Sequence, residues 1–316
     1  MKIVFLGTPD YVLPILETLH RRFSNRGISP IEAVVTQPPR PTGRKQMLEF
    51  SPVDSWAFKK KLPIFHSSRE LLASKIQADI GILAAYGEII PESVISYFPF
   101  GILNIHPSLL PAWRGAAPVQ APIIAGEKET GVTIIKLDEK LDHGPIVSQF
   151  KEEVLGTDNT ETLRGRLFER SAEVLAELLE PYLADKITPR EQKHAEATFT
   201  TQIKKEQALI PPKYLSTALQ GASLKGQWEI GFAKDFSIDP TPEAVDKFVR
   251  AMNPWPTAWT WVRLRKKESG KKKLKIIKAH LEEPLLVLDD VQLEGKGPVS
   301  WKQFREGYKD AVLADE

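Results

Sequence analysis

Two polar residues, Asn104 and His106, end a short apolar stretch with the character of a buried strand. Side chains in a strand alternate between faces, so residues two apart point the same way. The spacing places an amide donor beside an imidazole, at the strand end where open α/β sheets bind ligands. Such a pair can stabilise an oxyanion and transfer a proton. A lone His here more often binds loop backbone, but the paired Asn104 and the Pro-bounded turn that follows favour a site.

A carboxylate candidate, Asp142, follows in the stretch Leu141-Asp142-His143-Gly144-Pro145. The alternative is a turn residue before Gly144, a common role for Asp. Sequence spacing alone does not bring Asp142 to the strand end. If tertiary structure does, its carboxylate would favour the charged imidazole of His106 and could accept a proton. We expect His143 to be a solvent-facing loop residue.

Composition limits the class of protein. The chain has 316 residues, 42% of them hydrophobic and 27% charged, which suits two globular domains and argues against disorder. The net charge is +2, so only local clusters could bind nucleic acid. The absence of cysteine excludes disulfides, thiolate nucleophiles and Cys-ligated zinc. Neither a signal peptide nor a membrane span is evident, and we expect a cytoplasmic protein, monomeric, with no membrane partner.

Residues 1–187 alternate between strand and helix patterns, which predicts an α/β fold with a Rossmann-like, mostly parallel sheet. The predicted strands are Lys2–Leu6, Ile31–Thr36, Pro63–Phe65, Asp79–Ala84, Ile102–His106, Gly131–Leu137 and Ile146–Glu153. The predicted helices are Tyr11–Leu19, Pro52–Lys61, Leu71–Gln77, Pro91–Tyr97, Val119–Ala125 and Thr160–Ala184. The first turn, Gly7-Thr8-Pro9-Asp10, lacks the three glycines of a dinucleotide fingerprint, so we predict that the sheet does not bind NAD.

The second half of the chain has a different pattern. Residues 188–208 are polar and irregular and predict a linker, and residues 209–316 predict a C-terminal domain. A helix over Glu243–Met252 is stopped by Asn253-Pro254-Trp255-Pro256, because proline lacks a backbone donor. Short strand patterns then predict a small β-rich, OB-like or barrel-like domain. These patterns cover Trp259–Leu264, Leu274–Ala279 and Leu285–Leu288.

Two cationic segments could bind an anionic partner. The loop 37–50 contains Arg40, Arg44 and Lys45, and long loops at strand ends often carry function, although a solvated loop would look similar. The segment 263–278 has nine cations opposed only by Glu268 and follows two tryptophans. A solubilised hairpin tip would need fewer cations, so the cluster favours contact with a phosphate backbone.

Five sequence blocks together carry a family resemblance. They are Gly7–Asp10, Thr36–Arg44, Asn104–Pro118, Leu141–Gly144 and Asn253–Pro256. On these blocks the chain resembles the methionyl-tRNA formyltransferases, a branch of the formyltransferase superfamily. The third and fourth blocks are typical of the superfamily, and the second and fifth favour the tRNA branch. The resemblance covers residues 1–205 well and the later region in patches.

The resemblance implies transfer of a formyl group from 10-formyltetrahydrofolate to the amino group of methionyl-initiator tRNA, for translation initiation. The reaction would pass through a tetrahedral intermediate, without a metal. It implies that Asn104, His106 and Asp142 are catalytic. The implied folate-binding residues are Tyr86, Gly87, Ser108, Leu109, Leu110 and Pro111. Tyr11 would lie near the methionyl side chain, and the loop 37–50 would contact the tRNA acceptor arm. With the cationic cluster, the expected tRNA-binding residues are Tyr11, Arg40, Arg44, Lys45, Lys271, Lys272 and Lys273.

The chain departs from the family pattern in two places, and other functions are compatible with the same site. The segment 209–240 is longer than the usual connection, and the C-terminal barrel is abbreviated. An Asn/His/Asp site would also serve formyl transfer to a small amine or hydrolysis of the formyl donor, but the basic loop weighs against both. A non-catalytic RNA-binding module would have no use for all three residues.

Overall fold

The computed structural model describes residues 1–43, 46–264 and 270–314. The chain forms two compact units. The first consists of Met1–Ala112, Gly131–Glu152 and Arg164–Ala197. The second consists of Trp113–Thr130, Glu153–Leu163 and Thr198–Glu316. Each unit therefore combines segments that are distant in sequence.

The strands follow the alternating pattern of the sequence closely in the first half of the chain. In chain order they are β1 (Ile3–Gly7), β2 (Ile31–Val35), β3 (Arg40–Thr42), β4 (Met47–Glu49), β5 (Ile64–Phe65), β6 (Ile80–Ala84), β7 (Ile102–His106), β8 (Arg114–Gly115), β9 (Glu129–Lys136), β10 (Ile146–Glu153), β11 (Phe199–Thr200), β12 (Trp228–Glu229), β13 (Ser237–Ile238), β14 (Trp259–Arg263), β15 (Lys272–Glu282), β16 (Leu285–Leu293), β17 (Pro298–Ser300) and β18 (Val312–Leu313).

Four of the helices begin after a hydroxyl residue that caps the helix N-terminus. Hydroxyls of Ser51, Ser67, Thr241 and Ser300 accept hydrogen bonds from the first turns of their helices. The helices are α1 (Leu13–Phe23), α2 (Pro52–Lys59), α3 (Ser68–Ser74), α4 (Glu92–Ile95), α5 (Gln120–Ala125), α6 (Thr160–Leu183), α7 (Pro212–Ala218), α8 (Pro242–Ala251) and α9 (Trp301–Gly307). Turns of 3₁₀ helix lie at Asp10–Val12, His194–Glu196 and Lys205–Ala208.

The main sheet has the strand order β10-β9-β7-β6-β1-β2-β5. Strands β5, β2, β1, β6 and β7 run parallel to one another, and β9 runs antiparallel to β7. Every residue of β1 and β7 is buried, as expected for strands covered on both faces. The predicted mostly parallel α/β sheet is confirmed. Because the parallel strands end at one edge, the loops after β1, β2, β6 and β7 emerge together there.

The second unit contains an antiparallel sheet of strand order β17-β16-β15-β14-β18, which confirms a β-rich C-terminal region. Strands β15 and β16 extend well beyond the predicted Leu274–Ala279 and Leu285–Leu288. Their burial alternates along each strand, so polar side chains on the exposed face concealed the strand ends in the sequence.

The segment predicted as a linker divides between the two units and is partly ordered by contacts within each. In the first unit, Arg190 exchanges backbone hydrogen bonds with Ile146, and Gln192 is buried. In the second unit, β11 pairs with β8, and Thr200 and Ile203 are buried. Across the described ranges, no helix is long and apolar enough to cross a membrane.

Candidate active site

Asn104 and His106 lie on β7 with their side chains buried, 6% and 5% exposed. The strand is held between β6 and β9, where Asn104 pairs with Ile135 and His106 pairs with Thr133. Two neighbouring strands therefore fix the backbone on either side. The two side chains point the same way, as predicted, because both face the same carboxylate.

That carboxylate belongs to Asp142, which is 8% exposed. Asn104 Nδ2 donates to Asp142 Oδ1 at 3.4 Å, and His106 Nδ1 lies 3.6 Å from the same oxygen. Asp142 adopts a left-handed backbone conformation, with φ 47°. The structure thus brings together the three residues that the sequence suggested, in a site where a carboxylate, an imidazole and an amide converge on one point.

Two glycines have no room for a side chain, one in the Asp142 loop and one in β9. A Cβ on Gly144 would lie 1.9 Å from the carbonyl oxygen of Lys136. A Cβ on Gly131 would lie 2.0 Å from the carbonyl oxygen of Phe150. Both are shorter than any real contact, so glycine is required at 144 for the Asp142 loop to pack on the end of β9, and at 131 for β9 to lie this close to β10.

The loop has a further contact that the sequence did not reveal. Gln192 Nε2 donates to the carbonyl oxygens of Asp142 at 2.9 Å and Gly144 at 2.8 Å. The expectation that His143 faces solvent is wrong, because its side chain is only 25% exposed. Its Nδ1 lies 2.7 Å from Asp138 Oδ2, and its ring stacks on His194 with centroids 3.9 Å apart. No local pattern indicates these contacts, because they join a loop to a segment that has the composition of a linker.

The turn after β7 is held by polar contacts with β9. Ser108 N donates to His106 O, and Ser108 Oγ donates to the carbonyl of Ala112 at 2.6 Å. Thr133 Oγ1 donates to Ser108 O and accepts from Leu110 N. Ser108 and Leu110 are buried at 0% and 3% exposure. Of the four predicted folate-binding residues here, Leu109 and Pro111 are the two with partly exposed surface.

The predicted folate-binding pair after β6 divides between core and surface. The ring of Tyr86 is 1% exposed and belongs to the core cluster beneath the sheet edge. Burial raises the pKa of the Tyr86 phenol, and the adjacent Glu88 carboxylate adds to this shift. Gly87 follows with φ +91°, and a Cβ placed there would meet no atom within 4 Å, so its backbone is open. Gly87 is therefore the member of the pair that is open at this edge, whereas Tyr86 is buried and its carbonyl accepts from Thr8 Oγ1 at 3.1 Å.

Tyr11 lies in the 3₁₀ turn after β1, at the same sheet edge as the end of β7. Its ring stacks under the guanidinium of Arg164, 4.0 Å from Cζ, and lies 4.9 Å from the ring of Phe168. Burial raises the pKa of Tyr11, and the positive charge of Arg164 partly opposes the shift. The phenol thus remains a neutral hydrogen-bonding group.

The basic loop contains the hairpin β3–β4. Arg40 donates to Gln37 Oε1 at 3.0 Å, and Gln37 Nε2 donates to Glu88 Oε1 at 3.0 Å. The base of the hairpin is therefore tied to the loop after β6. Arg44 and Lys45, both predicted to bind tRNA, lie outside the described residues. The hairpin region also exposes three large apolar side chains, Met47, Leu48 and Phe50.

The cationic cluster of the second unit is organised by two tryptophans of β14. Lys273 Nζ lies 4.2 Å from the centroid of Trp259, and Lys271 Nζ lies 4.8 Å from that of Trp261. Lys272 is exposed at the start of β15. The remaining cations at 265–267 lie outside the described residues. Aromatic rings under the ammonium groups place the charges at defined positions on the sheet.

Comparisons with known proteins give a consistent result. Residues 1–179 match the family described as "Formyl transferase", and residues 235–285 match "Formyl transferase, C-terminal domain". The methionyl-tRNA formyltransferase of Buchnera aphidicola subsp. Schizaphis graminum is 35% identical over 266 residues, covering 82% of this chain and 74% of that protein. The methionyl-tRNA formyltransferase of Methylacidiphilum infernorum is 33% identical, covering 99% of this chain and 97% of that protein.

A solved structure supports the fold independently. The N-formyltransferase from Helicobacter canadensis, in complex with folinic acid and dTDP-3-aminofucose, matches with a TM-score of 0.60. The match covers 100% of both chains at 14% sequence identity, so the likeness concerns the fold.

Proposed function

Because the chain belongs to the formyl transferase family, with methionyl-tRNA formyltransferases as relatives, we propose that it transfers a formyl group from 10-formyltetrahydrofolate to methionyl-initiator tRNA. The acceptor atom is the free amino group of the methionyl residue, and the product serves translation initiation. The observation that carries the proposal is the convergence of Asn104 and His106 on Asp142.

The proposed chemistry begins with attack of the amine nitrogen on the formyl carbon, which turns the carbonyl oxygen into an oxyanion. The Asn104 amide has two hydrogens, and its bond to Asp142 uses one, so the other can donate to the oxyanion. His106 faces Asp142 through Nδ1, and in the imidazolium form its Nε2 is a second donor. Donors fixed in a buried site stabilise the charge without reorganisation when it forms.

The attacking amine must also lose a proton. The Asp142 carboxylate lies beside His106, and its oxygen can accept that proton directly or through one water. The bond between the formyl carbon and the folate nitrogen then breaks, and the departing nitrogen gains the proton that Asp142 accepted. Protons and electrons therefore balance within the two substrates and these side chains.

We propose that the formyl donor binds at the edge formed by the turn after β7 and the loop after β6. The partly exposed Leu109 and Pro111 and the open backbone of Gly87 are the surfaces available there. The buried Ser108 and Leu110 hold the turn in shape. A folate-type donor is supported by the solved structural neighbour, which was determined with folinic acid.

We propose that tRNA is bound through two cationic surfaces. One is the β3–β4 hairpin with Arg40, Arg44 and Lys45, and the other is the Lys271–Lys273 run with its tryptophans. Cations that neutralise phosphates supply most of the affinity for nucleic acid. Tyr11 lies at the same sheet edge as the end of β7, which carries Asn104 and His106. This position suits contact with the methionyl group.

The test measures transfer of a radiolabelled formyl group from 10-formyltetrahydrofolate in three parallel reactions. These contain charged initiator methionyl-tRNA, charged elongator methionyl-tRNA, or no acceptor. We expect selective labelling of the initiator. Labelling of neither tRNA, with breakdown of the donor, would overturn the acceptor and favour hydrolysis. No consumption of the donor at all would overturn the proposed reaction.

A further inference from the structure

The segment from Arg190 to His194 sends alternate side chains to the elements that form the candidate active site. The backbone of Arg190 bonds to Ile146 in both directions, at 2.7 and 2.8 Å, so residue 190 pairs with the start of β10. The chain then turns, because His194 N donates to Gln192 O at 3.0 Å and a 3₁₀ turn begins at His194. Arg190, Gln192 and His194 each contact a different part of the site.

Arg190 reaches the turn after β7 through one intermediary. Its Nη2 donates to Gln149 Oε1 at 2.7 Å, and Gln149 Nε2 donates to Leu110 O at 3.0 Å. His194 stacks on His143, next to Asp142 in the chain. The segment therefore braces both the turn after β7 and the Asp142 loop.

Gln192 has the most direct contact with the Asp142 loop. The side chain is buried at 5% exposure, and its amide nitrogen donates to the carbonyls of Asp142 and Gly144. An amide nitrogen has two hydrogens, so one for each carbonyl uses both. The two carbonyls flank His143, and together they fix the path of the backbone across Asp142.

This backbone needs such support. Asp142 has φ 47°, a left-handed conformation that is unfavourable for a residue with a side chain. A buried carbonyl left without a donor is also unfavourable, so loss of the Gln192 amide would favour a different loop conformation. Any such change would move the carboxylate from Asn104 and His106.

We infer that Gln192 is a positioning residue that holds the Asp142 carboxylate within reach of Asn104 and His106. The inference rests on the proposed function, because it concerns how the same three residues are held for formyl transfer. Gln192 does not touch the reacting atoms. It acts through the backbone of Asp142.

The test is a double-mutant cycle on kcat for formyl transfer to methionyl-initiator tRNA. We expect Gln192→Ala to lower kcat about 10- to 100-fold, since small displacements of a catalytic group are that costly, with KM for the formyl donor changed less than about twofold. In the Asp142→Ala background, Gln192→Ala should cost less than about twofold more, because the group that it positions is already gone. Multiplicative losses in the two backgrounds would overturn the inference and indicate a general structural role.

Two further variants keep the test decisive. Gln192→Glu preserves the shape of the side chain but has no hydrogen to donate, so it should reproduce the loss if Gln192→Ala is too unstable to assay. Gln207→Ala is the matched control, because Gln207 Nε2 also donates to a backbone carbonyl, that of Gly231, at 2.7 Å. The control should keep wild-type kcat. If the wild-type protein transfers formyl groups and both Gln192 variants keep wild-type kcat, the inference fails while the proposed function stands. If the wild-type protein transfers none, the proposed function fails first.

Discussion

His106 and Asp142 meet in a buried site, with imidazole Nδ1 3.6 Å from carboxylate Oδ1. The amide of Asn104 donates to the same oxygen, so one carboxylate oxygen orients both partners. Exposed ion pairs contribute little, but here both side chains are at most a tenth exposed and solvent screens them weakly. Loss of Asp142 would therefore remove the partner that Asn104 and His106 share.

Removing either donor of the proposed oxyanion site should lower the rate of formyl transfer sharply. We expect Asn104→Ala and His106→Ala each to lower kcat by about 100- to 1000-fold, the usual cost of deleting one fixed donor. Single-turnover transfer to methionyl-initiator tRNA is the measurement, because it isolates the chemical step. Asn25→Ala, in an exposed turn, is the control and should keep the wild-type rate. Near-wild-type rates in either site variant would refute the catalytic assignment.

The parts of this site that depend on local pattern can be predicted from the sequence. Asn104 and His106 fall on one face because a strand has a period of two, and the apolar run identifies the strand. The family resemblance adds Asp142, whose tertiary proximity no spacing could establish.

The parts that sequence reasoning misses depend on contacts between distant segments. Gln192 is a buried donor within a polar, irregular stretch, and polar residues in such a stretch usually face solvent. The resemblance implies that Tyr86 lines the folate pocket, and the sequence alone does not show that its ring lies in the core. Local composition does not distinguish these cases, because burial is decided by which segment packs on top.

The lysines that stack on β14 tryptophans should contribute to tRNA affinity through phosphate neutralisation. We expect the double variant Lys271→Gln and Lys273→Gln to weaken tRNA binding. It should also reduce the slope of log affinity against log salt by about 0.7–0.9 for each phosphate that is no longer neutralised. Binding is measured from about 50 to 200 mM salt. Replacing Lys59 and Lys60, exposed at the end of α2, changes the net charge equally and is the control. An unchanged slope in the test variant would show that these lysines are solvated surface.

Replacing the arginine at the base of the β3–β4 hairpin should change KM for tRNA and leave KM for the formyl donor unchanged. Arg40 is exposed and held by Gln37, so its charge has a defined position at the sheet edge. A charge-assisted hydrogen bond contributes about 1.5–3 kcal/mol, so Arg40→Ala should raise KM for tRNA about 10-fold or more.

The donor provides the internal control for this variant. KM for 10-formyltetrahydrofolate should stay within about twofold of the wild-type value, as measured at saturating tRNA. Arg22→Ala, on the exposed surface near the end of α1, should change neither KM. A rise in both KM values for Arg40→Ala would mean that the Gln37–Glu88 contact carries the effect into the loop after β6.

A partly buried carboxylate in the second unit should make stability depend on pH. Glu127 Oε1 accepts a hydrogen bond from Trp113 Nε1 at 2.9 Å. Burial raises the pKa of the Glu127 carboxyl above its ordinary 4.5, and the Trp113 bond only partly opposes this. A raised folded-state pKa means that the stabilising contribution is complete below pH 4.5 and is lost as pH rises through the folded-state pKa.

Glu127→Gln separates the charge of this group from its hydrogen bond, because the amide oxygen can still accept from Trp113. We expect the variant and the wild-type protein to have similar melting temperatures near pH 4, and the variant to melt higher at pH 7. The measurement is thermal unfolding across that range, with the exposed Glu173→Gln on α6 as the control. Surface changes of that kind alter stability by less than about 0.5 kcal/mol. A lower melting temperature for Glu127→Gln at pH 7 would mean that the ionised carboxylate stabilises the fold, because its charge-assisted bond to Trp113 would then outweigh the cost of burial.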